Sequence, residues 1–196
     1  MKTIFIIKLC IAQIALSIHF SKAQDLTYHI FVGKKHAGIL KAQMNKLEGD
    51  LFKLHLESNT DFTLVEIYTL LEAEYRNGQL QRASNLQKVN GKVKNTSQIT
   101  WIGNQYKISL AGEERFLQKN IVFSVAMLYH IEPQGVNNIF SERFGVFCKI
   151  NKTASNQYEL EMPDGKITKY LYSNGICTEM QSDHTLANIR LILQDK

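Results

Sequence analysis

The sequence is poor in the residues and motifs that most often reveal a small protein's chemistry. It has 2 prolines and 3 cysteines in 196 residues. No Gly-x-Ser-x-Gly turn, His-Glu-x-x-His helix or glycine-rich phosphate loop is present, so the signatures of common hydrolases, metalloproteases and nucleotide-binding proteins are missing. No apolar run reaches the roughly 20 residues that a membrane-spanning helix needs.

The histidines show no zinc-binding spacing. Those after residue 23 are His29, His36, His55, His130 and His184. None is spaced from another histidine or from a cysteine as zinc ligands are, and closed sites need three or four convergent donors. We therefore predict no metal and no cofactor.

Residues 1–23 have the three parts of a cleavable secretory signal. Two lysines supply positive charge without any acid, residues 9–20 are apolar, and small side chains precede the cut after Ala23. A retained anchor is a poor alternative, because the apolar stretch is short and interrupted by polar residues. A lipid on Cys10 is another, but Cys10 precedes the end of that stretch. We expect residues 24–196 to be exported, to the periplasm or beyond, without spanning the membrane.

Export would remove most of the positive charge. The whole chain has a formal net charge of +5, and residues 1–23 contain three lysines and no acid, so 20 basic side chains face 18 acidic ones, a net +2. The short clusters at 34–35 and 92–94 lie beside turn residues, as is typical of solvated turns. We therefore predict no nucleic-acid partner.

Residues 24–196 have the length of a single domain that can bury a core without disulfides. Cys148 shares strand parity with apolar Val146, whereas Cys177 shares it with Glu179, so we expect the two thiols on opposite faces. A meander between them would add about 14 Å, which exceeds the roughly 7 Å that a disulfide spans. Barrel closure could shorten that path, so a Cys148–Cys177 bridge stays open.

Turn dipeptides between alternating segments predict antiparallel hairpins. Asn77-Gly78, Asn90-Gly91 and Asn174-Gly175 suit two-residue turns in which both residues need positive φ. Segment 62–75 fits both a strand and a helical stripe, and the turn that follows it favours the strand. Period-two alternation predicts strands near 26–32, 38–46, 52–57, 62–75, 79–89, 92–101, 105–110, 145–151, 158–162, 166–173, 176–181 and 186–194.

One short helix is predicted near 122–130. There Phe123, Ala126 and Met127 fall at helical spacing, and Pro133 follows the run. The predicted fold is mainly β: a strongly curved antiparallel sheet or incomplete barrel of about ten strands, with this helix against its concave side.

Several short motifs carry a resemblance. They are Tyr75-x-Asn77-Gly78, Leu128-Tyr129-x-x-Glu132-Pro133-x-Gly135, Phe140-Ser141-Glu142-x-x-Gly145, Pro163-Asp164-Gly165 and Tyr170-x-Tyr172-x-Asn174-Gly175-Ile176. With these motifs the chain resembles a family of small exported proteins of unknown function found in Bacteroidota. It is also loosely similar to periplasmic curved-sheet β proteins such as bacterial lipoprotein carriers. The resemblance implies that fold and an envelope location, and it implies no catalytic residue.

A curved sheet with an apolar concave face can hold a small ligand. The leading hypothesis is non-enzymatic binding of an apolar molecule such as a lipid, with Met127, Phe123, Tyr129, Glu132 and Glu142 as ligand-binding candidates. The alternative is a structural or interaction module that pairs a sheet edge with another envelope protein. A hydrolase using Glu132 and Glu142 is a third reading, but such glutamates are most often solvated or paired, so no catalytic residue is predicted.

Overall fold

The computed structural model describes residues 24–183 and 188–194. The predicted signal, residues 1–23, and the start of the last predicted strand, 186–187, lie outside the described residues. Within those residues the chain forms fourteen antiparallel strands in one sheet.

The strands form two meanders that are separated by one short helix. The first meander comprises β1 (Gln24–Val32), β2 (Lys35–Lys46), β3 (Leu51–Phe62), β4 (Val65–Arg76), β5 (Gln79–Val89), β6 (Lys92–Trp101), β7 (Tyr106–Leu110) and β8 (Glu113–Leu117). A 3-10 helix, Val125–Tyr129, follows and is called the inner helix below. The second meander comprises β9 (Asn138–Ser141), β10 (Val146–Ala154), β11 (Gln157–Glu161), β12 (Ile167–Ser173), β13 (Ile176–Asp183) and β14 (Asn188–Leu193).

Pairing of β1 with β14 joins the two meanders, so β8 and β9 are the two edges of one unclosed sheet. The expected curved, barrel-like antiparallel architecture is confirmed. The described residues contain fourteen strands rather than about ten. Each of the twelve segments with period-two alternation coincides with a strand, and β8 and β9 were not predicted. β8 reads Glu-Glu-Arg-Phe-Leu and β9 has four residues, so neither shows the alternation that identifies a strand.

The hairpin turns confirm the Asn-Gly predictions. Asn174 has φ 51° and Gly175 has φ 78°, as a primed turn between β12 and β13 requires. Asn77-Gly78 and Asn90-Gly91 have the same pair of positive φ values. These turns match the right-handed twist of their strands and set the register of each hairpin.

The two edges of the sheet meet through side chains. Arg115 on β8 donates from Nη2 to the carbonyl oxygen of Gly145 at 2.6 Å and to that of Phe144 at 3.1 Å, in the β9–β10 turn. Gly145 has φ +65°, and a Cβ there would lie 2.8 Å from Cγ2 of Ile108 on β7. The two edges therefore approach each other at a glycine that no larger residue could replace without displacing its neighbours.

The core lies on the inner face of the wrapped sheet. Alternate residues of β1 to β7 and β10 to β14 point inward and are buried, together with the side chains of the inner helix. The predicted helix is confirmed in place but is shorter than 122–130, spanning Val125–Tyr129. Segment 62–75 is a strand over most of its length, as predicted.

The prediction that Cys148 and Cys177 face opposite sides of the sheet is wrong. Both are buried in the same core, and both are free thiols. The register of β12 and β13 shifts between the pairs Leu171–Glu179 and Tyr172–Cys177, which leaves Thr178 as an extra residue on β13. Cys177 therefore turns inward with Tyr172 instead of sharing a face with Glu179. The two cysteines still lie three strands apart, on β10 and β13, which agrees with the spacing argument against a bridge.

Candidate functional site

The carboxyl end of the inner helix is held by tyrosine hydroxyls from the sheet. Tyr172 on β12 donates to the carbonyl oxygen of Leu128 at 2.8 Å. Tyr28 on β1 donates to the carbonyl oxygens of Tyr129 at 3.2 Å and Cys177 at 2.8 Å. The last carbonyls of a helix lack partners within it. These buried tyrosines satisfy them and fix the helix against both meanders.

The amino end of the inner helix meets the buried carboxylate of Glu142. Its Oε1 accepts a hydrogen bond from the backbone N–H of Ala126 at 3.3 Å. Desolvation raises the pKa of Glu142 from 4.5 to about 7, although hydrogen bonds to the carboxylate partly offset that rise. The Glu142 backbone is anchored as well, since the hydroxyl of Ser97 on β6 donates to its carbonyl oxygen at 2.6 Å.

The five predicted ligand-binding candidates gather around the inner helix. Phe123, Met127, Tyr129 and Glu142 are buried in the core, and Met127 is 2% exposed. Glu132 lies after the helix, and its Oε1 accepts a hydrogen bond of 2.8 Å from the hydroxyl of Tyr158. The groove described below is lined by other residues.

His130 follows the inner helix and is also buried. Its Nδ1 lies 3.0 Å from Oε1 of Gln24 at the start of β1. Burial lowers the pKa of His130 from 6.5 to about 4. Across residues 24–183 and 188–194, no group of three or more His, Cys, Asp or Glu side chains is placed to hold a metal ion.

A groove of about 640 Å³ crosses the outer face of strands β2 to β6 and is called the outer groove. Its polar lining consists of outward-facing side chains that alternate with the buried core residues of the same strands. They are Gln43, Asn45, Lys53, His55, Glu72, Glu74, Arg82, Ser84, Gln98 and Thr100. Amide and hydroxyl groups from β2, β5 and β6 thus flank a row of charged side chains on β3 to β5. This row, called the charged strip, consists of Lys53, His55, Glu72, Glu74 and Arg82.

The charged strip is ordered by cross-strand pairing. Glu74 on β4 stands opposite Lys53 on β3 and Arg82 on β5. Arg82 donates from Nη2 at 2.7 Å and from Nε at 3.1 Å to Oε2 of Glu74, and Nζ of Lys53 lies 3.7 Å from the same oxygen. The Glu74 side chain is 16% exposed and that of Arg82 is 66% exposed. Glu74 therefore orients an arginine that remains open to solvent.

A second pair continues the strip. Nδ1 of His55 on β3 lies 3.4 Å from Oε1 of Glu72 on β4, and the two residues stand opposite each other in the sheet. Both side chains are solvent-accessible, at 36% and 58%. Acids on the central strand with bases on its neighbours suit a ligand that carries groups of both charges.

Small residues on the inner face of the sheet explain why its outer face is depressed at the outer groove. Ala73 and Ala83 stand opposite each other on β4 and β5, and both point into the core. Strands β3 and β4 contact the inner helix. Short side chains there let the sheet lie close to the helix, and a register shift between Glu74 and Tyr75 adds a local bend.

This groove was not predicted from the sequence. Its residues occupy the polar faces of amphipathic strands, where solvated side chains are the ordinary expectation. The available signal was the charge order across three hairpin-linked strands, with bases at 53 and 55, acids at 72 and 74, and a base at 82. That order becomes visible only once the register is known.

Comparisons with known proteins agree with this architecture. A solved structure, the beta-barrel-like protein of domain of unknown function DUF1849 from Brucella abortus, superposes with a TM-score of 0.54 at 12% sequence identity. The match covers 87% of this chain and 95% of that one, and it shows a shared fold. No curated protein matches the sequence. No helix in the described part of the chain is long and apolar enough to cross a membrane.

The family comparison covers nearly all of the predicted mature chain. Residues 28–194 match a family described as a domain of unknown function, DUF6134. The match includes both meanders, the inner helix and the outer groove. The chain therefore belongs to the DUF6134 family.

Proposed function

We propose that this chain is a non-enzymatic protein of the cell envelope, exported by its first 23 residues, that binds a segment of another envelope protein in the outer groove. The observation that carries the proposal is the Glu74 carboxylate, which holds Arg82 at 2.7 Å and Lys53 at 3.7 Å in an open groove. Such preorganised charges reduce the side-chain ordering that binding requires. An origin in Bacteroidota, which the sequence motifs suggest, stays a prediction.

The groove chemistry favours a polypeptide ligand. Side-chain amides of Gln43, Asn45 and Gln98 and hydroxyls of Ser84 and Thr100 can both donate and accept hydrogen bonds. A peptide backbone presents the same alternation of donors and acceptors. Glu72 and Arg82 lie between these flanks and can pair with charged side chains of either sign.

The packing of the interior supports a surface-binding role over a carrier that encloses an apolar molecule such as a lipid. A carrier needs space beside the inner helix, yet Met127, Leu128 and Phe140 are almost fully buried there. Interiors packed at ordinary density need no ligand to complete them. The interaction module that the sequence left as an alternative is thus the better supported hypothesis.

The site used by this module is the groove rather than a sheet edge. β8 is engaged with the β9–β10 turn through Arg115, so part of that edge is already occupied. The position of the two candidate carboxylates supports a role without catalysis. Glu142 is buried against the inner helix, and Glu132 is paired with Tyr158, so they do not form an open acid-base pair.

Site-specific photo-crosslinking in intact exporting cells tests this function. A photoreactive residue at Thr100, which is exposed in the outer groove, should give one discrete protein adduct. The same residue at Lys149, an exposed position on β10 outside the groove, is the control and should not give it. Arg82→Glu should abolish the Thr100 adduct, and thermal unfolding should show a protein that is still folded, although its melting temperature falls because the new carboxylate stands opposite Glu74.

Three outcomes would contradict the proposal. The first is an adduct of equal strength at Lys149, which would indicate non-specific capture. The second is a Thr100 adduct that survives Arg82→Glu, because the charged strip would then have no role in recognition. The third is the absence of any adduct at Thr100, which would exclude a protein ligand in this groove.

A further inference from the structure

Exposed apolar side chains gather where two hairpins end. Leu64, in the β3–β4 turn, is 86% exposed, and Val65 beside it is 40% exposed. Val93, just after the β5–β6 turn, is 57% exposed. Single exposed apolar residues are ordinary on protein surfaces. Here three of them lie in or directly after two neighbouring turns, where polar residues are usual.

These two turns form one rigid unit. The side chain of Asn90 donates from Nδ2 to the carbonyl oxygen of Leu64 at 3.2 Å and accepts at Oδ1 from the backbone N–H of Glu66 at 2.8 Å. The backbone N–H of Asn90 also donates to the carbonyl oxygen of Glu66 at 2.8 Å. Leu64 and Val93 are therefore presented together by ordered backbone, and little ordering is needed when they bind.

A third turn adds positive charge beside them. Nζ of Lys35, after the β1–β2 turn, lies 5.6 Å from the ring centre of Phe62 at the end of β3. The three turns, Gly33–Lys34, Thr63–Leu64 and Asn90–Gly91, thus form one end of the sheet, called the tip end below. Its lysines are Lys34, Lys35, Lys88, Lys92 and Lys94, and the acids on these hairpin ends are Asp61 and Glu66.

Charge at the tip end is asymmetric relative to the rest of the chain. Five lysines against two acids give these hairpin ends a net charge of +3, whereas residues 24–196 as a whole have a net charge of +2. The remainder of the chain is therefore close to neutral or slightly acidic. Lysine clusters around an apolar tip are the pattern that anionic lipid surfaces attract.

We propose that the tip end docks on an anionic lipid bilayer, with Leu64 and Val93 inserted at the level of the headgroups and the surrounding lysines against lipid phosphates. Apolar insertion and electrostatic attraction are each weak alone, and stable peripheral binding needs both signals. Docking at this end leaves the outer groove free, because the groove lies in the half of β2 to β6 that is away from the tip end. The inference is independent of the proposed protein-binding function.

Vesicle co-sedimentation of residues 24–196 provides the test. The protein should sediment with vesicles of phosphatidylcholine plus phosphatidylglycerol and stay in solution with phosphatidylcholine alone. Leu64→Ser combined with Val93→Ser, and separately Lys92→Glu combined with Lys94→Glu, should each weaken binding at least about tenfold. Raising the salt concentration should weaken wild-type binding, because surface charges are screened.

Matched controls lie at the opposite end of the sheet. Val122 is 61% exposed beside the start of β5, where the Ile121 carbonyl oxygen accepts a hydrogen bond from the backbone N–H of Leu80. Lys46 is the last residue of β2, at the end of the strand away from the β1–β2 turn. Val122→Ser and Lys46→Glu should leave sedimentation unchanged. Thermal unfolding of every variant checks that the fold is intact. We expect it to be, because all the substituted positions are exposed.

Three results would overturn the inference. Equal sedimentation with both vesicle types would remove the role of anionic lipid. Unchanged binding by both tip-end variants would place the contact elsewhere. Wild-type protein that fails to sediment with anionic vesicles, while a photoreactive residue at Leu64 captures a protein in cells, would assign the tip end to a protein partner instead.

Discussion

The hydroxyl of Tyr172 donates a hydrogen bond of 2.8 Å to the carbonyl oxygen of Leu128. This bond joins β12, late in the chain, to the inner helix between the two meanders. Tyr28 makes the corresponding bonds from β1 to Tyr129 and Cys177. The sheet therefore wraps a helix whose end carbonyls are satisfied by side chains of the sheet.

Replacing Tyr172 by Phe should cost about 1–2 kcal/mol in the free energy of unfolding, because a buried carbonyl loses its donor. Urea denaturation measures it. Tyr68→Phe is the matched control, since the Tyr68 hydroxyl bonds to Glu57 on the outer face of the sheet. An equal loss of unfolding free energy in both variants would show that the hydrogen bond from Tyr172 to the inner helix contributes no more stability than a surface hydrogen bond.

Glu142 should make the protein less stable as the pH rises. Burial raises its folded-state pKa from 4.5 to about 7, so the folded state holds a proton that the unfolded state has released. The contribution is fully present below about pH 4.5 and is lost as the pH rises to about 7, a change of roughly 3 kcal/mol. His130 acts in the opposite sense, since its lowered folded-state pKa costs stability as the pH falls from 6.5 towards 4.

Comparison of the wild type with Glu142→Gln separates the contribution of Glu142 to the pH dependence from that of His130. The difference in unfolding free energy between wild type and Glu142→Gln should shift against the wild type between pH 5 and pH 8, by roughly 3 kcal/mol. Glu113→Gln, at an exposed position on β8, is the control for substitution alone. If the difference in unfolding free energy between the wild type and Glu142→Gln does not change with pH, Glu142 is ionised in the folded protein at pH 5, which contradicts the prediction.

Gly175, in the turn between β12 and β13, should not tolerate a β-branched side chain. Gly175 has φ 78°, a region that costs a β-branched residue about 2 kcal/mol. Gly175→Val should lower the melting temperature, whereas Ser173→Val, at an exposed strand position two residues earlier, should not. Equal melting temperatures for both variants would contradict the turn assignment.

Much of this fold could be predicted because its signals are local. Asn-Gly pairs mark three turns, and alternation over ten or more residues marks strands such as β3 and β5. Short strands carry too few alternating positions, which explains why β8 and β9 were missed. The period-two argument also fails where a strand has a bulge, as β13 does between Cys177 and Glu179, because one extra residue reverses the faces of the side chains on its two sides.

The candidate site was less predictable because it depends on register and burial. The helical stripe through Met127 was predicted correctly as an apolar surface, but periodicity does not distinguish a cavity wall from a filled core. The roles of Tyr28 and Tyr172 as donors to the inner helix depend on partners 101 and 44 residues away in sequence. The outer groove depends on which charges stand opposite one another across β3, β4 and β5.

A filled core predicts the effect of enlarging Met127. Met127→Trp should destabilise the protein by about 1–3 kcal/mol, because an overpacked core must shift its neighbours. Ile167→Trp, on the 42% exposed side chain of β12, is the control and should change the unfolding free energy little. Unchanged stability of Met127→Trp would indicate unfilled space beside the inner helix.

Native mass spectrometry of wild-type protein isolated from the cells that produce it tests most directly whether the interior of the sheet is filled by the protein's own side chains. The core packed around Met127 predicts the mass of the polypeptide alone, with no apolar molecule retained after mild activation. A lipid or other apolar adduct at one per chain, lost in Met127→Trp, would contradict the account and place the binding site inside the sheet.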